Sequence, residues 1–156
     1  MEFGILAWGG ISPSKLDKIT KLQKKCVRNV AGKGHNSHTD PIFSKLRLLK
    51  FSDTFQYSSS LFMHKCISNK LPDSFQNFFT PFSIPNRSHS FKNSKAKNKF
   101  LETFPSFFLP KIWNTNSLGL RSTSNFKSFK NNLKELILGS YPPATKCNSA
   151  FCPDCN

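Results

Sequence analysis

The chain has 156 residues, the size of one ordinary domain, and 37% of them are hydrophobic, which allows a core but a thin one. With 23 Lys and Arg against 8 Asp and Glu, the net charge is +15, which favours a polyanionic partner, nucleic acid first and an anionic membrane surface second, over a solvated basic face without a partner. No apolar run approaches the ~18 residues of a membrane span, and no secretory leader is legible, so the five cysteines are expected in a reduced intracellular setting, nucleus or cytoplasm.

In chain order, Phe3 to Trp8 is apolar and runs into Gly9-Gly10, as the last turns of a helix would. It has no capping residue before it, so its first turns are expected further upstream. Ser12-Pro13 opens the next helix as N-cap and first helical residue. Leu16, Ile19, Leu22, Cys26, Val27 and Val30 recur at helical spacing, and Gly32 is the expected stop. Lys18, Lys21, Lys24, Lys25 and Arg28 fall on the opposite face. Asp40-Pro41 repeats the cap-and-proline pattern ahead of Phe43 and Leu46. Ser52 or Asp53 starts a further helix with Phe55, Phe62 and Cys66 along one stripe, Ser58 and Ser59 beside it, and Leu71-Pro72 as its end.

A short aromatic stretch of Phe75, Phe78 and Phe79 follows. From Pro81 to Phe100 the periodicity is lost. Arg87, Lys92, Lys95, Lys97 and Lys99 occur there without an acid, which reads as a mobile basic loop. Phe91 and Phe100 within it are candidates to stack on unpaired bases. Order returns at Phe107, Phe108, Leu109, Ile112 and Trp113. A last helix starts near Ser124, with Phe126, Phe129, Leu133, Leu136 and Ile137 as its stripe, and closes at Gly139 and Pro142-Pro143.

No segment alternates long enough for a strand, so the expected class is mainly α: a loose helical bundle with a long basic irregular loop and a Cys-containing tail. The chain divides by composition into an N-terminal helical part at 1–80, the basic loop at 81–105, the aromatic segment and last helix at 106–140, and a Pro/Cys tail at 141–156.

The acids argue against metal-assisted phosphoryl transfer, which needs carboxylates close together. Glu2, Asp17, Asp40, Asp53, Asp73, Glu102, Glu135 and Asp154 are scattered, and most sit at expected helix starts, where a carboxylate caps. No nucleophile elbow or Cys/His signature is present either. Cys147, Cys152 and Cys155 include a C-x-x-C step suited to zinc, but a structural site needs a fourth ligand. That ligand would come from His35, His38, His64, His89 or another chain; the competing reading is an exposed, oxidisable thiol cluster. His35-x-x-His38 has metal spacing too, although a local hydrogen-bonding role is the simpler reading.

An ordered set of landmarks carries a family resemblance. It runs Phe3-Gly4-Ile5-x-x-Trp8-Gly9, Leu22-Gln23-Lys24-Lys25-Cys26-Val27-Arg28, His38-Thr39-Asp40-Pro41-Ile42-Phe43, Leu61-Phe62-Met63-His64-Lys65 with Leu71-Pro72, Ile112-Trp113-Asn114, and Ser128-Phe129-Lys130. In this order and spacing the chain resembles the region after the reverse-transcriptase domain in non-LTR, LINE-type (jockey-like) retrotransposon polyproteins, over nearly its whole length. The resemblance implies a helical region in or just beyond the thumb of an RNA-directed DNA polymerase, a partner polypeptide carrying the polymerase, and RNA or DNA as ligand. Two positions depart from the family pattern: Phe3-Gly4 stands where Tyr-Gly is usual, and Thr115-Asn116-Ser117-Leu118-Gly119 follows Trp113-Asn114 where Leu-Pro often does. The family's catalytic Tyr/Phe-x-Asp-Asp and its endonuclease motifs are not in this sequence.

Two functions are therefore expected. The first is an accessory module that contacts the nucleic-acid backbone through Lys18, Lys21, Lys24, Lys25, Arg28, Arg87, Lys92, Lys95, Lys97 and Lys99, with no catalysis of its own. The alternative is a truncated retroelement remnant or helical interaction fragment with no independent function. A basic amphipathic helix that docks on a membrane surface or a calmodulin-type partner is a third class.

Overall fold

The computed structural model describes residues 4–10, 13–75, 78–81 and 90–142. The protein is mainly helical: α1 (Ile5–Trp8), α2 (Pro13–Val30), α3 (Asp40–Lys45), α4 (Phe51–Ile67), α5 (Pro105–Thr115), α6 (Leu118–Arg121) and α7 (Phe126–Gly139). Short 3-10 turns stand at Asp73–Phe75 and Leu101–Thr103. The β pairing among the described residues is a single antiparallel bridge, Pro81 to Phe91. None of the described helices is long and apolar enough to cross a membrane.

Three helices stop in the same way. A residue in the left-handed region turns the chain back, so that the next N–H reaches a carbonyl of the last full turn. After α2 this residue is Gly32 (φ 63°), with the Lys33 N–H bonded to the Arg28 carbonyl at 2.9 Å. After α3 it is Arg47 (φ 52°), with Leu48 bonded to Phe43 at 2.9 Å. After α4 it is Asn69 (φ 51°), with Lys70 bonded to Lys65 at 2.9 Å. Asn69, rather than Leu71-Pro72, therefore ends α4.

The helix starts also differ from the expectation in places. Asp40 lies inside α3, whose N-cap is Thr39, and its carboxylate pairs with the Lys50 ammonium at 2.9 Å. The helix expected from Ser52 or Asp53 begins at Phe51, because Gln23 of α2 supplies the missing partner: its Oε1 accepts from the Phe51 N–H at 2.8 Å while its Nε2 donates to the Leu49 carbonyl at 2.9 Å. The cap of α7 is Asn125, whose Oδ1 accepts from the backbone N–H groups of Lys127 (2.9 Å) and Ser128 (3.2 Å).

The described chain separates into two compact units. The first contains residues 1–11 and 55–133. Its centre is aromatic: Trp113 and Phe129 are fully buried with ring centroids 5.6 Å apart, and His64 stacks on Phe129 at 4.4 Å. The His64 Nε2–H donates to the Thr123 carbonyl at 2.7 Å, and Nδ1 faces the Ser68 hydroxyl at 3.3 Å. Ser59 and Ser60 are fully buried on α4, where their small side chains permit close approach; Asn116 donates to Ser60 Oγ at 3.0 Å. Gly9 serves the same end, since a Cβ there would overlap the Phe55 ring.

The second unit contains residues 12–54 and 134–156. Its core is small: Val27, Ile42, Phe43, Leu138 and Tyr141, with Ala31, Leu49 and Ile137 packed against it. Burying Phe43 completely is worth roughly 1.5–3 kcal/mol. Tyr141 closes this core with a polar clasp. Its hydroxyl donates to Asp53 at 2.6 Å and accepts from the Lys50 N–H at 2.9 Å, while the Lys50 ammonium stands 4.5 Å from the ring centroid.

The expected apolar stripes are narrower than their spacing suggests. On α2, Val27 is buried, but Leu22 is 59% and Val30 75% exposed, and Cys26 is exposed as well. The unit's small core and Gln23 occupy one strip of the helix, and the rim of the apolar arc remains in solvent. On α7, Phe129, Leu133 and Leu138 are buried while Leu136 is exposed.

Candidate nucleic-acid interface

The α2 cations form a coherent site. Lys18, Lys21, Lys24, Lys25 and Arg28 line a single open depression of about 640 Å³ together with Leu22 and His35. Helical spacing brings the five cations to one side of α2. The left-handed stop at Gly32 then turns the chain so that His35 lines the same depression. Arg28 is oriented by its Nε–H, which donates to the Ser37 carbonyl at 2.8 Å. Lys21 is held by Asp17 at 2.7 Å, an exposed pair one helical turn apart. Such exposed pairs are weak and hold the ammonium only loosely. Among the described residues no acid lines the depression.

The loop lysines form a different set. Lys92, Lys95, Lys97 and Lys99 are exposed and belong to the first unit, whereas the α2 cations belong to the second. Arg87 lies outside the described residues. The loop is also less free than its composition suggests. Phe91 is 6% exposed, packs against Phe79 at 5.9 Å, and has both backbone groups bound by the Asn114 amide: the N–H donates to Oδ1 at 3.0 Å and the carbonyl accepts from Nδ2 at 2.8 Å. Phe91 is therefore a core residue and not a base-stacking one, because its ring is already committed to the interior. Phe100 is 70% exposed and touches Phe104, whose ring centroid is 5.3 Å away.

Other chemistry-bearing groups have structural partners. Among the described residues no three of His, Cys, Asp and Glu lie together. Four of the carboxylates are engaged by cations or a phenol: Asp17 with Lys21, Asp40 with Lys50, Asp53 with Tyr141, and Glu135 with Arg47. Burial, and then the hydrogen bond to Asp53, push the Tyr141 phenol well above its ordinary range. Burial alone pushes the Cys66 thiol up, and its Sγ donates to the Phe75 carbonyl at 3.7 Å, so it is a packing thiol and not a nucleophile. Cys147, Cys152, Cys155 and His89 lie outside the described residues. Of the other histidines considered as a fourth zinc ligand, His64 is enclosed in the first unit's core, and His35 is an exposed neighbour of Asn36 that joins the cationic depression.

His35 is the site residue that the sequence reading did not assign to this surface. The signal for it was non-local, since only the turn at Gly32 brings position 35 beside α2.

No protein-family model, curated protein or solved structure matches this chain.

Proposed function

We propose that this protein is a nucleic-acid-contacting helical module, without catalysis of its own, of the kind that follows the polymerase domain in LINE-type retroelement proteins. The observation that carries the reading is the depression on α2, lined among the described residues by five cations and no carboxylate. A phosphate backbone is the polyanion that such a row suits, and each Lys or Arg that meets a phosphate releases counterions. The lysines at 92–99 offer a second, separate contact of the same type. The order of sequence landmarks supports a reverse-transcriptase polypeptide as the companion; Cys147, Cys152 and Cys155 are read first as an oxidisable thiol cluster, with zinc as the alternative.

A salt titration of binding tests it, read by fluorescence anisotropy with labelled RNA and DNA. Affinity is expected to fall with a slope of about −0.7 per phosphate contact on single strands. Replacing Lys18, Lys21 and Lys25 with Gln should flatten that slope by roughly two units and weaken all sequences alike, because phosphate contacts position without specifying. Binding no stronger than that of a scrambled peptide of equal charge rejects the proposal. It would favour the alternative of a helical interaction fragment, for which the exposed Val30 and Leu136 speak.

A further inference from the structure

We infer that the depression on α2 takes an unpaired nucleic-acid strand in preference to a duplex. The inference rests on the proposed function and narrows its ligand. A helix that reads a duplex must enter a major groove about 12 Å wide. An α-helix with its side chains is already about 10–12 Å across. Here α2 is not a free ridge, because the loop that carries His35 stands beside it and makes the basic surface concave. That added width keeps the helix out of a groove, whereas a single strand lies in the concavity.

The dimensions agree. Lys18 and Arg28 are ten residues apart, which is about 15 Å of helix axis. The depression of about 640 Å³ has room for one small-molecule-sized group, so an unstacked base fits within it. The lining itself supplies what an unpaired strand needs. Lys18, Lys21 and Lys25 face phosphates, and Arg28, fixed by the Ser37 carbonyl, marks the far end beside His35. Leu22 is 59% exposed in the midst of these charges. An apolar side chain there has no use for a phosphate, but it gains by burying its apolar area against the face of an unstacked base. In a duplex the bases are stacked on one another and Leu22 would gain nothing.

The test uses the full chain and four probes of equal phosphate number: oligo-U and oligo-dT of about 24 nucleotides, and GC-rich RNA and DNA duplexes of about 12 base pairs. Both unpaired probes are expected to bind at least about five-fold tighter than either duplex, since only they offer base faces. Leu22→Ser should weaken the unpaired probes about three-fold and leave the duplexes and the salt slope unchanged. Unchanged helicity by circular dichroism would show that the variant is folded. His35→Ala should weaken the unpaired probes in the same direction. A difference between oligo-U and oligo-dT identifies the sugar, and either one exceeding its duplex supports the inference. Equal affinity for strands and duplexes, or tighter duplex binding, overturns the inference but leaves backbone contact intact. Loss of binding to all four probes rejects both readings.

Discussion

The two compact units solve the same problem with different materials. In residues 1–11 and 55–133 rings do the packing: Trp113, Phe129 and His64 form a closed aromatic centre, and Phe79 and Phe91 form a further buried ring pair. In residues 12–54 and 134–156 a handful of aliphatics and Phe43 are joined by Tyr141, Asp53 and Lys50, a phenol, a carboxylate and a backbone amide in one hydrogen-bonded chain. Aromatic residues bury large areas each, so the first unit gains stability from few contacts. The second has less to bury and relies on polar groups that must all be satisfied. The unit with the smaller core is also the one whose longest helix leaves a cationic side and an apolar rim uncovered.

The largest effect should follow from emptying the aromatic centre. Trp113→Ala is expected to cost about 3–5 kcal/mol, read as a lower urea midpoint. A loss below about 1 kcal/mol would mean that the rings are not the main support of the first unit.

A smaller loss, about 1–3 kcal/mol at neutral pH, should follow Tyr141→Phe, which leaves Asp53 and the Lys50 N–H without their partner. Its pH dependence sharpens the contrast. The folded phenol titrates above the unfolded one, so its contribution is complete below the unfolded value of about 10 and is lost as pH rises beyond it. The gap between wild type and variant should hold up to about pH 10 and shrink as pH rises above that value. A gap that stays constant above that value would show that the clasp does not hold the phenol protonated.

The smallest effects come from the helix stops, one in each unit. Asn69→Ala puts a Cβ-bearing residue without a local hydrogen-bonding side chain in the left-handed region, and should cost about 1 kcal/mol. Arg47→Gly should stabilise by about as much. It relieves the same strain and gives up only the exposed pair with Glu135, which is worth little. Equal thermal midpoints for the two variants and wild type would show that these turns carry no strain.

What the sequence reveals follows from the range over which each signal acts. The extents of α2 and α7 were legible, because helical periodicity and the Pro13 and Gly32 boundary signals act over a few residues. The true end of α4 was not, because Asn takes the left-handed conformation less often than Gly and Leu71-Pro72 gave a louder signal nearby. Gln23 as the cap of α4 was not legible either, being a contact between positions 28 apart. Phe91 illustrates the same limit: its surroundings are polar and basic, yet Asn114 draws its backbone into the interior. In the candidate interface, the cations of α2 were visible from spacing alone. The exposure of Leu22 and the approach of His35 depended on how little of the helix the small core covers.

The grip of Asn114 on Phe91 also bears on the lysines that follow it. The segment carrying Lys92, Lys95, Lys97 and Lys99 is anchored at one end by that amide, and at the other it runs into the 3-10 turn at Leu101–Thr103, whose Leu101 N–H is accepted by the Asn98 side chain at 2.9 Å. In polymer terms it is a closed loop and not a dangling tail. The entropy of bringing its ends together, which grows only as the logarithm of loop length, is met when the protein folds. The contour of so few residues, at most about 3.3–3.6 Å each, confines the four ammonium groups to a small shell near the surface. A polyanion arriving there meets a locally concentrated charge, as it would on a short brush grafted at both ends.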